Sequence, residues 1–482
     1  MDLSFLPAWK LAELTRAGTI SCLELLNHSI ERVERLNDRI GAVVVRDFER
    51  ARARARVLDG NLNARSAPLF GVPMTVKESF DLKGHPSTWG IAERSGHRAE
   101  HDALAVERIE AAGAVVFGKT NVPVALGDWQ AYNPMYGTTV NPWDAARTPG
   151  GSSGGGAAAV AAGFSGLEIG TDIGGSIRVP AHFCGIFGHK PTWELCPRRG
   201  HSMANTVAAV DITVLGPLAR SARDLRLALD ALAGPDPLDT RLTLNLPEPR
   251  ATRLRDLRIA VWSHEPGQAT SCDTTAAIEA LAAQLEREGA KVDREARPDF
   301  DSAEAYHLYV TLVETALSAR DSEDELKRKR AAKAKLDPND VRTDALSLRA
   351  TDMGHLEWLR LNERRHQIRR AWAAFFEQWD VVLCPAFAVP ALPHMQEGAT
   401  WERSFVVDGR KIDYNDMLFW PGIASGFYLP ASVAPIGRSK EGLPIGVQIV
   451  GPLYGDRTTI QVAELIEQAG HGFVAPPSLA SR

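Results

Sequence analysis

The amino-acid sequence predicts an α/β fold, because short apolar strands alternate with helical patterns along the chain. Apolar runs at 115–117, 257–261 and 290–292 each lie next to a segment with helical spacing. Gly113 and Gly289 stand where the helices before two of these strands should end. Apolar residues form 44% and charged residues 24% of the 482 positions, which is typical of a globular chain with a sizeable core.

The N-terminal third contains the clearest individual elements. Ser21 and Glu24 form a capping box that predicts the start of a helix, and Gly41 predicts its end. The other elements expected before the strand at 115–117 are a strand at 42–45, an Arg-rich helix at 48–58, an apolar run at 70–76 that ends at Lys77, and a helix at 102–112.

The second half of the chain continues the alternation and then changes character. A helix around Ile278 is expected between the strands at 257–261 and 290–292. Residues 300–375 are charged with scattered leucines, which predicts a helical covering layer rather than a catalytic core. No linker rich in Gly, Ser and Pro separates this layer cleanly, so we expect residues 1–482 to form one domain with a helical elaboration at 300–375.

Composition and charge argue against several classes of protein. The net charge of −5 and the pI near 6.3 give no electrostatic reason to expect nucleic acid. The five cysteines form no C-x-x-C pair, so neither a disulfide framework nor a zinc site is indicated. The N-terminus lacks a signal-peptide pattern, and the charge-free windows at 148–167 and 417–437 are too rich in Gly, Ala and Ser or too interrupted by Pro to span a membrane. We therefore expect a cytoplasmic protein.

The most informative segment is the Gly- and Ser-rich stretch at 150–178. Glycine is expensive to order, so this density indicates positive-φ turns or backbone that approaches a ligand closely. Two Gly-Gly-Ser units end at Ser152 and Ser176, and a small-residue helix is expected between them at 157–162. The segment is therefore the first place to look for a functional site.

Several interpretations of this segment compete. A phosphate-binding loop would end in Gly-Lys-Ser/Thr, and the segment at 150–178 lacks this triplet. A dinucleotide fold, or a nucleophile elbow with Ser153 as nucleophile, requires a strand immediately before the glycines, and residues 141–149 do not resemble one. A loop that only permits tight packing remains a further possibility.

The remaining interpretation places both Gly-Gly-Ser units in one hydrolytic site. The backbone N–H groups of residues 173–176 could converge as an oxyanion hole. A serine nucleophile also needs a base, and none of the thirteen histidines lies in the segment. A lysine can replace histidine if burial lowers its pKa by about 3 units, which costs about 4 kcal/mol. Lys77, Lys119 and Lys190 all end apolar runs, and these arguments do not choose among them.

A resemblance to a known family resolves the choice. The motifs that carry it are Gly71–Lys77, Gly118–Pro123, Asn141–Trp143, Pro149–Gly155, Gly170–Arg178 and Gly442–Gln448. Together they resemble the amidase signature family over nearly the whole chain. The resemblance implies an α/β/α sandwich around a large mixed β-sheet, with a signature core at 65–200 that holds the catalytic residues.

The resemblance also implies residue roles. Ser176 matches the family nucleophile, Ser152 matches a bridging serine that follows a cis peptide bond, and Lys77 matches the buried base. Ile173, Gly174, Gly175 and the Ser176 amide match the oxyanion hole. Asp172 and Arg178 match polar residues that brace the loop. No metal or organic cofactor is implied.

Positions around the site receive weaker expectations. The residues that align with positions bordering the nucleophile are Leu126, Gly127, Asp128 and Trp129. Trp420 and Phe427 are further candidates for substrate contact. For Cys184 and His182 we expect structural roles, and for Lys119 a loop-capping role near the site.

The expected reaction is hydrolysis of a small aliphatic or aryl carboxamide to an acid and an amine or ammonia, through an acyl-enzyme. One alternative is a member of the family that cleaves esters or carbamates, and the expected partner is a small molecule or a second copy in a homodimer. Another alternative is the A-type component of a tRNA-dependent amidotransferase. That component usually carries a Met-Asp-Glu-Phe-Ala-Met-Gly-like stretch where this chain has Val122–Asp128.

Overall fold

An eleven-stranded mixed β-sheet forms the centre of this computed structural model, which describes residues 2–203, 206–238, 240–319, 321–337 and 339–479. The helices of the described chain are α1 Ala8–Arg16, α2 Cys22–Ile40, α3 Phe48–Gly60, α4 Leu104–Ala111, α5 Gly154–Ala161, α6 Arg178–Cys184, α7 Ala222–Leu232, α8 Cys272–Arg287, α9 Ser302–Ser318, α10 Glu323–Lys333, α11 Thr343–Ala350, α12 His355–Gln378, α13 Phe419–Ser425 and α14 Asp456–Gln468. The strands are β1 Val43–Arg46, β2 Pro73–Lys77, β3 Val115–Thr120, β4 Tyr132–Asn133, β5 Gly137–Thr138, β6 Leu167–Asp172, β7 Phe187–Lys190, β8 Val214–Ala219, β9 Arg258–Val261, β10 Lys291–Asp293, β11 Val381–Pro385, β12 Ser404–Val407, β13 Arg410–Asp413, β14 Ala431–Arg438 and β15 Pro444–Val450.

The strand order in the main sheet is β1-β3-β2-β6-β8-β7-β14-β15-β11-β9-β10. Strands β3, β2 and β6 are parallel neighbours, as are β11, β9 and β10. The strands between these two parallel groups pair antiparallel. The α/β class and the large mixed sheet are therefore confirmed.

Helices cover both faces of the sheet, and the alternation of side chains along each strand decides which residues face which layer. Met74 and Val76 on β2 pack in the core cluster that includes helices α1, α4, α7, α8 and α14. Thr75 and Lys77 consequently point to the opposite face, where α5 lies. Both layers leave β2 buried along its whole length.

Capping residues and helix-ending glycines in the sequence predicted the bounds of the first helices correctly. Ser21 and Glu24 form the reciprocal capping box at the start of α2, and Gly41 ends that helix with a φ of 69°. The prediction did not include β6, α6 and β7, which follow the Gly-rich helix, nor the C-terminal pair β14 and β15. The helical pattern at 300–375 corresponds to α9–α12. The division into a core and an elaboration stays a prediction.

Membrane insertion finds no support in the described part of the chain. None of the helices there combines the length and the apolar character needed to cross a bilayer.

Candidate active site

The two Gly-Gly-Ser units lie side by side. Ser152 precedes α5, Ser176 precedes α6, and the Ser153 N–H donates a hydrogen bond to the Ser176 carbonyl at 3.1 Å. The Gly151–Ser152 peptide bond is cis. A Cβ atom on Gly151 would collide with the Asp128 carbonyl oxygen, so only glycine can occupy that position. The glycines thus allow the two loops and the 126–130 segment to come together.

Lys77 ends strand β2 and is fully buried. Its Nζ donates to Ser152 Oγ at 2.7 Å and to Thr171 Oγ1 at 2.9 Å. Of the three lysines that the sequence left open, this is the one that contacts a Gly-Gly-Ser serine.

The other two lysines hold backbone and loop groups. Lys119 Nζ donates to Ser87 Oγ at 3.0 Å and to the Pro86 carbonyl. Lys190 Nζ donates to the carbonyls of Pro191 and Leu429 at 2.9 and 2.8 Å. Burial lowers the pKa of Lys119 to about 8 and that of Lys190 to about 7. A low pKa alone therefore does not identify the base, and contact with a serine of the Gly-Gly-Ser units is the better criterion.

Ser176 and Ser153 differ in accessibility. Ser176 retains 7% of its surface exposed, whereas Ser153 is fully buried. The Ser153 hydroxyl donates to the Thr171 carbonyl at 3.3 Å and accepts from the Thr171 N–H at 3.3 Å. No strand precedes Gly151, since residues 141–149 are irregular. The geometry therefore does not support a nucleophile elbow at Ser153.

The loop from Ile173 to Ser176 contains three backbone donors without an acceptor. Within the described residues, the N–H groups of Ile173, Gly174 and Ser176 make no hydrogen bond. The Gly175 N–H, which we expected in the oxyanion hole, instead donates to Asp172 Oδ1 at 2.9 Å. An anion at this loop would therefore meet up to three unengaged donors.

Asp172 and Arg178 form a buried ion pair that shapes this loop. Arg178 Nη2 lies 2.8 Å from Asp172 Oδ1, and both side chains are fully buried. Burial alone would raise the pKa of Asp172, but Arg178 and the Ile177 N–H lower it to about 2. These contacts tie Asp172 to Arg178 and to the loop between them, and the bracing role of the pair stays a prediction.

Arg178 also connects the loop to the C-terminal part of the chain. It donates to the Pro421 carbonyl at 2.8 Å, to Ser425 Oγ at 2.7 Å and to Gln448 Oε1. The side chain thereby joins α6 to α13 and β15.

Two aromatic side chains hold carbonyl groups of the same loop. Tyr309 on α9 donates from its hydroxyl to the Ile173 carbonyl at 3.1 Å. Trp129 donates from Nε1 to the Gly174 carbonyl at 2.9 Å. Because C=O and N–H point in opposite directions across a trans peptide, these bonds aim the Gly174 N–H and the Gly175 N–H away from the aromatic side chains.

The candidate pocket segment, residues 126–129, lies against the first Gly-Gly-Ser loop. Its residues differ in how far they are exposed to solvent. Leu126 is buried and Gly127 is exposed. Asp128 pairs with Arg403 at 2.6 Å and accepts from the Tyr414 hydroxyl at 2.6 Å. The acidic group of the segment is therefore neutralised by the 395–418 segment.

Trp420 and Phe427 lie in the apolar core. Trp420 is buried and donates from Nε1 to Thr270 Oγ1 at 2.9 Å. Phe427 is buried and packs near Phe300. Their contacts are those of core residues.

Cys184 and His182 have structural surroundings. The Cys184 thiol lies 3.4 Å from the Pro149 carbonyl, and burial raises its pKa far above the usual range. His182 accepts from the Gly446 N–H at 2.7 Å, and burial lowers its pKa to about 4.

A Ser-His-Asp arrangement occurs elsewhere in the fold. His189 Nδ1 lies 3.0 Å from Ser432 Oγ, and His189 Nε2 lies 3.2 Å from Asp456 Oδ1. All three residues are fully buried, so a substrate could not reach the serine. Among the described residues, no group of three or more His, Cys, Asp or Glu side chains could hold a metal ion.

The sequence did not identify several residues that shape the site, namely Thr171, Tyr309, Arg403 and Tyr414. Thr171 precedes Asp172 within the Gly-rich motif, and its position offered a usable signal. Tyr309 and Arg403 lie far from the motif in sequence, and neither stands in a local pattern that indicates its contact.

Comparison with known proteins finds relatives that match nearly the whole chain. The Amidase family model matches residues 24–460. An indoleacetamide hydrolase of Bradyrhizobium diazoefficiens is 30% identical over 481 residues, which cover 96% of this chain and 87% of that protein. The A-type component of a glutamyl-tRNA(Gln) amidotransferase from Cyanothece sp. is 31% identical over 471 residues, which cover 93% of this chain and 95% of that protein. The solved structure of a 6-aminohexanoate cyclic dimer hydrolase has 29% identity and a TM-score of 0.78, and covers 100% of this chain and 99% of its own.

Proposed function

Because this chain belongs to the amidase signature family and is an amidohydrolase, we propose that it cleaves a small neutral carboxamide through an acyl-enzyme on Ser176. Ser152 and Lys77 transfer the protons. The observation that carries this proposal is the 2.7 Å hydrogen bond between Lys77 Nζ and Ser152 Oγ in a buried site. A neutral lysine at this position can draw a proton from Ser152, which in turn draws one from Ser176.

The acyl-transfer step uses the loop before α6. Ser176 Oγ attacks the amide carbon, and the carbonyl oxygen becomes an oxyanion. The unengaged N–H groups of Ile173, Gly174 and Ser176 are the donors that stabilise this charge. The Gly175 N–H stays on Asp172 and keeps the loop in shape.

Collapse of the tetrahedral intermediate requires a proton on the leaving nitrogen, since an amide anion is a very poor leaving group. Ser152 donates that proton and recovers it through Lys77. Water then attacks the acyl-enzyme by the same route, and the products are a carboxylic acid and an amine or ammonia.

The surroundings of the loop favour a neutral substrate. A Cβ atom on Gly174 would meet Leu418 and Tyr309, and one on Gly175 would meet Pro421, so the loop has apolar neighbours. The nearby charged groups are engaged in pairs, Asp128 with Arg403 and Asp172 with Arg178. Small aryl or alkyl amides, such as the indoleacetamide of one relative, fit these properties better than a free amino acid with a side-chain amide, whose α-amino and α-carboxylate groups are both charged.

The amidotransferase alternative has its own support in the 31% identity to an A-type component of such an enzyme. Copurification with a second protein chain, together with glutaminase activity, would favour it over a self-contained amidase.

A fluorophosphonate tests the proposed nucleophile without knowledge of the substrate. We expect one adduct in the intact mass, located on Ser176 by peptide mapping and absent in Ser176→Ala. The matched control is Ser432→Ala, which removes the buried serine of the Ser-His-Asp arrangement and should leave labelling intact. An adduct on Ser153, or an unlabelled wild-type protein, would contradict the proposal. A panel of aryl and alkyl amides, esters and carbamates then identifies the substrate.

A further inference from the structure

Helix α12 has an inner face that packs into the core and an outer face that borders a groove. Ile368, Trp372 and Phe375 are buried on the inner face, whereas His366 and Arg370 on the outer face are exposed. The groove has a volume of about 670 Å³ and lies between α12 and the loop that follows β15. None of the described residues that line it belongs to the proposed triad, to the loop at 173–176 or to the candidate pocket segment. The groove and the candidate active site are therefore built from different residues.

The groove carries an excess of positive charge, although the whole chain has a net charge of −5. Three guanidinium groups line it, those of Arg250, Arg369 and Arg370, and Glu363 is the one acidic residue among the described lining residues. His366 also lines the groove, and burial and the charges of neighbouring arginines, chiefly Arg369, lower its pKa. The local electrostatic potential therefore favours an acidic ligand.

Two of these arginines have no acidic partner within the protein. Elsewhere on α12, Arg364 and Arg365 form ion pairs at 2.6 and 2.8 Å. Arg250 of the groove has a weaker ion pair at 3.9 Å. Neither Arg369 nor Arg370 forms an ion pair with any carboxylate in the described part of the chain. Their charges are therefore available to a ligand.

Neutral groups hold Arg369 in place. Its Nη1 donates to His366 Nδ1 at 3.1 Å, and its guanidinium carbon lies 5.0 Å from the centre of the Tyr428 ring. Neither contact neutralises the positive charge. A guanidinium group that is already oriented loses less conformational freedom when an acid binds to it.

Much of the remaining lining is apolar. Phe376, Leu429, Pro452 and Leu453 all contribute to it, and the Leu453 side chain is still 37% exposed. The volume falls in the range of sites that bind small organic molecules. Apolar walls favour a ligand with an apolar body over an inorganic anion, because burying such a body releases water from both surfaces.

We propose that this groove binds an amphipathic organic acid, whose acidic group pairs with Arg369 and Arg370 and whose apolar body packs against Leu429 and Leu453. The observation that carries the inference is the combination of two guanidinium groups without acidic partners and an apolar wall in one groove. The site does not depend on the proposed hydrolysis, since it shares no residue with the candidate active site.

Isothermal titration calorimetry of the full chain with naphthalene-2-carboxylate tests the proposal. We expect saturable binding at low ionic strength that weakens when salt is added, because salt screens exposed charges. Naphthalene-2-methanol has the same apolar body without the charge and should bind about tenfold more weakly or worse. Inorganic phosphate should not displace the carboxylate. Absence of binding, equal binding of the alcohol or complete displacement by phosphate would each overturn the inference.

A double variant locates the bound acid. Arg369→Gln combined with Arg370→Gln should weaken the binding of naphthalene-2-carboxylate by about tenfold or more, since both charged donors are lost. Leu453→Ala should weaken it by about threefold through lost apolar contact. The matched control is Arg364→Gln, which removes an arginine of the same helix that is already paired with Glu304 and should keep the wild-type affinity. Wild-type affinity in the double variant, or an equal loss in the control, would contradict the proposed site.

Arg370→Gln alone serves if the double variant does not fold, as judged by circular dichroism. The Arg370 side chain is exposed, so its replacement should leave the fold intact. We expect the affinity for naphthalene-2-carboxylate to fall by about threefold or more. An unchanged affinity in this variant would also overturn the inference.

Discussion

At the scale of single residues, the loop at 173–176 depends on side chains that are distant in sequence. Tyr309 and Trp129 each donate to one carbonyl of the loop, and Asp172 accepts from one N–H. Each of these bonds fixes the rotation of a peptide plane. The directions of the N–H groups that we propose as oxyanion donors are thus set from the opposite side of the loop, by side chains that bind its carbonyl groups.

Tyr309→Phe should lower kcat about tenfold or more with little change in KM. The variant removes the donor to the Ile173 carbonyl, so the Gly174 N–H loses its fixed direction toward the oxyanion, while about 1 kcal/mol of stability is lost with the hydrogen bond. Steady-state kinetics on an amide from the panel, with thermal unfolding in parallel, measures both effects.

Tyr306→Phe is the matched control for this prediction. Tyr306 lies on the same helix and is buried, but its hydroxyl bonds to Thr343 Oγ1 at 2.8 Å, away from the loop. We expect a similar loss of stability and an unchanged kcat. Equal kinetic losses in the two variants would mean that Tyr309 acts only through general stability.

At the scale of elements, the segment before α13 is joined to the candidate pocket segment. Asp128 and Arg403 form an ion pair at 2.6 Å in which each side chain is only 7% exposed. Arg403 also donates to the Tyr132 hydroxyl at 2.9 Å and to the Gly398 carbonyl at 2.7 Å. This pair therefore connects the candidate pocket segment to the 395–418 segment.

Arg403→Met should destabilise the protein by about 3–5 kcal/mol, because it leaves the Asp128 carboxylate buried without its cation. Adding Asp128→Asn should recover a large part of that loss, since the remaining group is then neutral. Urea unfolding of the two single variants and the double variant gives the coupling energy. Simple additivity of the two single losses would contradict the proposed coupling.

The elements also show what sequence reasoning could reach. The capping box at Ser21, the strand that ends at Lys77 and the helix after Ser152 were predictable because their signals are local. The hydrogen bond from the Gly175 N–H to Asp172 was not predictable, because it depends on the folded shape of the loop. Arg403 and Tyr309 were also out of reach, because their partners lie more than a hundred residues away and no local pattern encodes such a pairing.

At the scale of the whole molecule, buried histidines make stability depend on pH. His182 accepts from the Gly446 N–H and lies 3.0 Å from the Val389 carbonyl, so it joins α6 to β15 and to the loop after β11. Burial lowers its pKa from 6.5 to about 4. Between these values the unfolded chain binds a proton that the folded protein does not, so stability falls as the pH drops from 6.5 to 4.

The wild-type melting temperature should therefore decrease over this range, with a contribution from His182 of about 1.4 kcal/mol per pH unit. His182→Gln cannot take up the proton and should show a shallower decrease, even if its stability at pH 7 is lower. Thermal unfolding at half-unit pH steps measures the two slopes. Parallel slopes would show that His182 does not contribute to the acid sensitivity.

The central position of β14 and β15 in the sheet has a consequence for how the protein is made. Ser152, Ser176 and Lys77 all precede Arg178, whereas the groups on Pro421, Ser425 and Gln448 that hold Arg178 come at least 243 residues after it. A nascent chain emerging from the ribosome thus contains Lys77, Ser152 and Ser176 long before the residues that hold Arg178 in place. Strand β7 likewise cannot pair with β14 until that strand has been synthesised. We therefore expect the candidate site to reach its final geometry only after Gln448 has been synthesised.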